Sequence, residues 1–410
     1  MTNMHNIEEL ESQLSQSQNG DTSFLRSCFN GLNALTGIGI VSIPYALSEG
    51  GWMSLIALFF IAILCFYTGL LLNKCMVSNP LIKSYPDIGE QAFGNKGKII
   101  ISIIMYVELF LVAFEFLIME GDNLHNLFPN VCVNVFKKNI GGKQVFILIA
   151  ALVILPTTWL RSLNFLAYLS VGGILSSLIL LSSVFWIGTF EGVGFHEKGD
   201  VWRYDGLAIA ISLYTFCYCG HAVFPTLRTS MKDKRQFPKV LLVCFVLSTI
   251  NYGLMAILGY LMYGEDLKSQ VTLNLPTKNI ISKIAIYTTL ISPITKYAMI
   301  ISPITTALEE RLMRRNNKLL SIIIRTIVVI GTVIVAIFVP FFGYVMAFIG
   351  GFTGISASIL FPCLCYLKIK RESRNFEIEL IFIMVILFLG FVSVVVGTFT
   401  SISDIVKHVS

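Results

Sequence analysis

Glu108, Glu115, His221 and Lys296 stand inside stretches that are otherwise apolar, and they are the side chains through which this sequence could do chemistry. In the middle of a bilayer an ionisable residue costs about 2.5–3.5 kcal/mol on insertion scales, so each needs a reason to be there. Glu108 and Glu115 are seven residues apart, which places both on one helix face and lets them look into one cavity. A carboxyl so placed carries a proton or is a structural group tied by hydrogen bonds. His221 is an imidazole, whose ordinary range lies between a neutral and an acidic compartment; its chemistry is proton coupling or gating, with a packed histidine as the alternative. Lys296, among Ser292, Pro293, Thr295 and Tyr297, is a coupling group or a tether to carboxylates or carbonyls. Glu120 and Asp122 lie near the end of the stretch that holds both glutamates and read as interfacial.

The backbone offers a second kind of chemistry. Asn30, Gly31, Asn33, Thr36, Gly37, Ile38, Gly39 and Pro44 crowd one apolar stretch with glycine and polar groups that a plain anchor does not need. Irregular backbone at membrane depth is tolerated only where it is buried in protein or lines a cavity. An unwound hinge is therefore expected at Thr36–Gly39, with close helix packing by small residues as the competing reading. Cys217, Tyr218, Cys219, Gly220 and His221, followed by Pro225, form a second candidate break. A half-helix start presents free N–H groups to a carboxylate, and freed carbonyls accept from an ammonium, so two such breaks suit an amino-acid zwitterion. The substrate-binding candidates are Thr36, Gly37, Ile38, Gly39, Cys217, Cys219 and Gly220, with the side-chain pocket expected from the third, sixth and eighth spans.

The elements that must hold these groups are membrane helices. The chain has 410 residues, 55% hydrophobic and 13% charged, where soluble domains carry about 25% charge. Apolar windows long enough to cross a bilayer lie near 24–48, 51–73, 98–123, 144–159, 163–189, 207–227, 237–262, 279–307, 319–339, 341–367 and 378–403. The breaks fall in the first and sixth, five spans apart. That is the arrangement of inverted-repeat transporters around a midplane site, with one repeat over about 24–189, a second over about 207–367 and an extra helix at 378–403. Together, residues 23–404 form one transmembrane domain. Residues 1–22, without Lys or Arg and with Glu8, Glu9, Glu11 and Asp21, read as a disordered tail.

Placing the N-terminus in the cytoplasm puts 20 Lys/Arg on that side, the cluster Arg311, Arg314, Arg315 and Lys318 being the clearest anchor. Nine, among them Lys137, Lys138 and Lys143, fall on the other, so the C-terminus is expected outside or in a lumen. The formal charge of +6 is thus a topology signal and gives no basic face for nucleic acid. The nine cysteines lie mostly within spans, without a disulfide framework, and the loops are too short for a nucleotide-binding domain. The five histidines form no metal-spaced pair, which argues against a membrane enzyme, and no cofactor or metal is expected.

Several blocks are familiar as sequence. The run Cys28-Phe29-Asn30-Gly31-Leu32-Asn33 through Gly37-Ile38-Gly39 to Pro44-Tyr45-Ala46-Leu47 resembles the first span of the amino acid/auxin permease family, with its plant vacuolar amino-acid transporter branch the nearest likeness. Tyr85-Pro86-Asp87-Ile88-Gly89, Tyr106-Val107-Glu108-Leu109, Glu120-Gly121-Asp122-Asn123-Leu124, Gly220-His221-Ala222-Val223-Phe224-Pro225 and Lys296-Tyr297-Ala298 extend it in order. Thr36–Ile40 departs from the Ala-Gly-Val-Gly frequent in relatives but keeps the glycine spacing, and the tail is shorter than many in this branch.

The resemblance implies an all-α polytopic protein of about eleven transmembrane helices, a LeuT-type 5+5 inverted repeat with discontinuous first and sixth helices. It also implies proton-coupled transport of amino acids at a vacuolar membrane. In sodium-coupled members of this fold the eighth span supplies ligands to an ion, so the Lys296 ammonium could stand in for Na⁺. The absence of any Asn-x-Ser/Thr acceptor fits an internal membrane. The expected partners are an amino acid (neutral by this reading), protons and the lipid bilayer, with no nucleic acid and no obligate protein partner. A non-concentrative sensor or channel of the same fold and a plasma-membrane amino-acid or auxin permease are the alternatives.

Overall fold

The computed structural model describes residues 20–135, 138–159, 166–312, 317–370 and 377–409. Lys137, Arg314, Arg315 and residues 1–19 of the expected tail lie outside the described residues. Among the described residues nine helices are long and apolar enough to cross a membrane, and two further spans are each assembled from short pieces, giving the expected eleven.

The first span is α1 (Phe24–Leu35) and α2 (Ile43–Gly50), joined by a 3₁₀ turn at Ile38–Val41. Ser23 starts α1 by accepting from the Arg26 amide at 3.4 Å. The second span is α3 (Ser54–Ser78). The third belongs to α4 (Tyr85–Leu127), which begins earlier than hydropathy shows because it carries a short preceding helix. A capping box opens that piece: the Asp87 amide donates to Ser84 Oγ, and the Ser84 amide to Asp87 Oδ2 at 2.9 Å. Gly94 then turns the chain with φ +65°, a conformation side chains rarely adopt, before the span proper.

The connection to the fourth span holds a small antiparallel ladder, β1 (Val133–Val135) with β2 (Lys138–Ile140), where the sequence shows only a loop. The fourth and fifth spans are α5 (Gly142–Trp159) and α6 (Leu166–Phe190). The sixth is α7 (Leu207–Cys217) and α8 (Phe224–Ser230), followed by α9 (Phe237–Tyr263), α10 (Ile280–Leu312) and α11 (Lys318–Phe338).

The tenth span differs from the continuous helix expected. It runs as α12 (Phe342–Phe348), π-helical turns at Ile349–Gly354 and Ser356–Leu360, and α13 (Phe361–Ile369). Gly350 lies so close to the Ser212 carbonyl of α7 that no side chain fits, and the wide turns accommodate this approach. In its most apolar stretch 72% of this span's residues are buried, whereas the corresponding stretch of the last, α14 (Glu377–Val409), has 22% buried. The tenth is therefore interior and the last peripheral, with Phe388, Phe391 and Phe399 turned outward to what must be lipid.

Inside the bundle the two broken spans lie head to tail, α2 against α7 and α1 against α8, while α10 packs on α4 and α6. This crossing places both breaks at one depth.

Candidate functional site

The first break begins where Thr36 turns its hydroxyl as well as its amide onto the Leu32 carbonyl, both at 2.6 Å. Gly37 leaves the helix with φ −88° and ψ −153°. Ser42 donates its hydroxyl back to the Gly39 carbonyl at 3.1 Å, and Pro44, with no N–H to place, sits in the first turn of α2. In the sixth span α7 stops at Cys217, and α8 restarts with Pro225 in its first turn. Tyr252 of α9 joins the breaks: its hydroxyl donates to the Leu35 carbonyl at 2.5 Å and lies 3.3 Å from that of Cys217.

Beside the first break is a small cavity of about 20 Å³, room for about one water. Thr36, Gly37, Ile38, Ile40 and Val41 form one wall and Met119 of α4 another. Gly173, Ser176, Ser177 and Leu180 of α6, with Thr289 and Ser292 of α10, complete it. A methyl group on Gly37 would meet nothing within 4 Å, so this backbone stands open to the cavity. The first N–H groups of a helix have no intrahelical partner, and those of the turn that starts at Ile38 begin at this wall.

One turn beyond Ser292 on α10, Lys296 is 6% exposed and donates to the Thr36 carbonyl at 3.4 Å. Gly173 faces it from α6: a Cβ there would fall 2.0 Å from Asn33 Oδ1 and 2.9 Å from Lys296 Nζ. Only a glycine lets the amide of Asn33 and the ammonium crowd against the fifth span. Among the described residues no carboxylate pairs with Lys296, so neither Glu108 nor Glu115 supplies the counter-charge.

Thr36, Gly37, Ile38 and Lys296 are thus brought together. Gly39 belongs to packing, since a methyl there would lie 2.6 Å from Cys217 Sγ. Cys217 meets the first break by that contact, and Gly220 is pressed between Leu35 and Phe224. Cys219 turns away and donates to Glu108 at 2.9 Å.

His221 faces the second span. Its Nε2 lies 2.9 Å from Thr68 Oγ1 and 3.1 Å from the Cys65 carbonyl, which can only accept, so Nε2 carries the proton and Nδ1 is bare. Glu115 is fully buried with neither oxygen partnered among the described residues, and Met119, one turn along its helix face, lines the cavity.

Sequence reasoning missed the fifth span as a wall, because its Gly-Ser composition carries no charge to mark it. It also expected the sixth span in the pocket, and that span contributes none of the residues lining this cavity. Tyr252 was missed as well, being one aromatic among many in an apolar helix.

Residues 20–403 match the family described as transmembrane amino acid transporter protein. The chain is 49% identical over 389 residues to amino acid transporter AVT1J of Arabidopsis thaliana, covering 94% of this chain and 92% of that one. It is 46% identical to AVT1I of the same plant, over 98% of this chain and 100% of the relative. Among solved structures, that of MhsT in complex with L-phenylalanine superposes with a TM-score of 0.54 at 13% identity, covering 94% of this chain and 99% of that one. This likeness identifies the fold that the two broken spans indicate.

Proposed function

We propose, from the premise that this chain belongs to the transmembrane amino acid transporter family, that it is a proton-coupled carrier of neutral amino acids in the vacuolar membrane. The observation that carries the coupling is Lys296: a buried ammonium against the Thr36 carbonyl, at the unwound turn that borders the cavity. A cation fixed there satisfies the oxygens that a bound metal cation would otherwise need, and it repels a second cation from the same place. An ammonium also gains and loses a proton, which a fixed metal ligand set does not do.

Binding follows from the walls. The substrate carboxylate meets the N–H groups at the start of the 3₁₀ turn, where the open face of Gly37 allows close approach. The hydroxyls of Ser176, Ser177, Thr289 and Ser292 and the apolar Met119 and Leu180 surround the rest, and among the described residues no charged side chain lines the cavity. A neutral side chain suits that lining, because a charged one would be left unpaired. Glu115 and His221 stand close to the breaks as groups of coupling or gating. The vacuolar location is supported by the branch resemblance and by the lack of glycosylation acceptors.

Uptake into proteoliposomes, with a panel of labelled amino acids under imposed pH and Na⁺ gradients, tests this reading. Accumulation of neutral amino acids driven by the pH gradient and indifferent to Na⁺ is expected. Na⁺-driven accumulation, or mere equilibration under every gradient, would contradict it.

A further inference from the structure

A second polar cluster lies away from the cavity, where the third span, the break in the sixth and the π-helical stretch of the tenth meet. Cys219 donates its thiol to Glu108 Oε1 at 2.9 Å, and Ser358 donates to the Cys219 sulfur at 3.2 Å. The neighbouring Ala357 carbonyl accepts from the fully buried Tyr85 hydroxyl at 2.5 Å, which ties in the short helix before Gly94. Three irregular elements therefore meet around this carboxyl: the end of a half-helix, a π-helical stretch and a short helix that turns at a glycine.

Glu108 Oε2 is sealed from solvent and has no hydrogen-bond partner among the described residues. Glu108 and Cys219 nevertheless each keep part of their surface open. The titratable groups that face the cluster are Cys219 and Cys65, Tyr85, and Cys363 and Cys365 of the tenth span. Glu115 lies about two turns further along the same helix, and His221, two residues after Cys219, turns to Thr68 and Cys65 instead. Among the described residues no Lys, Arg or His pairs with Glu108. A carboxylate charge with no counter-ion and a sealed oxygen is tolerated only once water reaches it.

We propose that Glu108 carries a coupling proton and that the Cys219 thiol passes its protonation state to the break in the sixth span. When the junction of the third, sixth and tenth spans opens, water reaches Oε2 and takes its proton; closure requires that a proton be returned from water. The carboxyl is the only group in the step that changes its proton count. This proposal rests on the proton-coupled reading above and adds a second protonation site, distinct from Lys296.

The test uses full-length wild type, Glu108→Gln, Glu108→Asp and Cys219→Ala in proteoliposomes, with the labelled amino acid that wild type accumulates best. Accumulation under a pH gradient and counterflow at equal pH are both measured. A wild type that does not respond to the pH gradient refutes the proton-coupled reading itself. With that response present, Glu108→Gln is expected to keep counterflow, to lose gradient-driven accumulation and to lose the pH dependence of counterflow. Cys219→Ala is expected to move the midpoint of the counterflow pH profile by about one unit, through the lost thiol bond. Accumulation by Glu108→Gln equal to wild type overturns the proposal, as does loss of counterflow together with accumulation in folded protein. Where Glu108→Gln fails to assemble, Glu108→Asp and Cys219→Ala decide: displaced pH profiles support the assignment and unmoved profiles overturn it.

Discussion

Gly37 and Gly39 look equivalent in the sequence, and the structure separates them. A methyl group on Gly37 enters open space in the cavity, whereas on Gly39 it falls 2.6 Å from Cys217 Sγ. Overpacking of this kind costs about 1–3 kcal/mol, so Gly39→Ala should lower stability by that amount. The next nearest atoms are Cα and Cβ of Cys217 at 3.4 Å, which is ordinary contact once the sulfur is gone. Cys217→Ala should therefore rescue Gly39→Ala, with a coupling energy of about 1–2 kcal/mol in a double-mutant cycle. Gly37→Ala should leave stability unchanged or raise it by up to about 1 kcal/mol, because it restricts only the unfolded chain. Its cost should be in transport, as a raised KM for the substrate whose carboxylate meets that wall. Thermal unfolding of the purified variants in detergent, paired with initial uptake rates, reads both effects. A Gly39→Ala protein as stable as wild type, one not rescued by Cys217→Ala, or a Gly37→Ala protein with wild-type KM would each break the reasoning.

Three further outcomes are expected. Tyr252→Phe removes the hydroxyl that joins the ends of α1 and α7 and should cost about 1–2 kcal/mol; detergent unfolding unchanged from wild type would show that the link does not hold the breaks. Arg325, 9% exposed, pairs with Glu309 at 2.9 Å and donates to the Thr158 carbonyl at 2.7 Å, so Glu309→Gln leaves a buried cation unpaired and should cost about 3–5 kcal/mol; wild-type thermal stability of that variant would refute the ledger for this pair. As a gating residue that fastens the sixth-span break to Thr68 and Cys65, His221 replaced by Ala should slow uptake without moving the midpoint of its pH profile. A moved midpoint would assign it to coupling instead.

Much of this architecture was legible because membrane helices advertise themselves: the bilayer demands long apolar runs, and both broken spans carried glycine, proline and polar residues where a plain helix would not. Lys296 was legible for the same reason, as a charge with no business in lipid. What was not legible depends on packing between distant segments. The π-helical turns of the tenth span answer the approach of Gly350 to the Ser212 carbonyl, a contact between residues far apart in sequence. The fifth-span wall of the cavity is written in Gly173, Ser176 and Ser177, small residues that serve close helix packing equally well. The spacing of Glu108 and Glu115 placed them on one face, but their partners, Cys219 for one and, among the described residues, none for the other, became visible only with the neighbouring helices in place.

Substrate-driven proton movement tests the central claim most directly. Proteoliposomes holding wild-type protein and a pH-sensitive dye, in Na⁺-free buffer with no imposed pH gradient, receive a neutral amino acid on one side, and internal pH and labelled uptake are followed together. The account predicts a change in internal pH that begins with uptake, scales with it and is lost in Lys296→Ala. Uptake that proceeds without any pH change, or that appears only when Na⁺ is added, would contradict it.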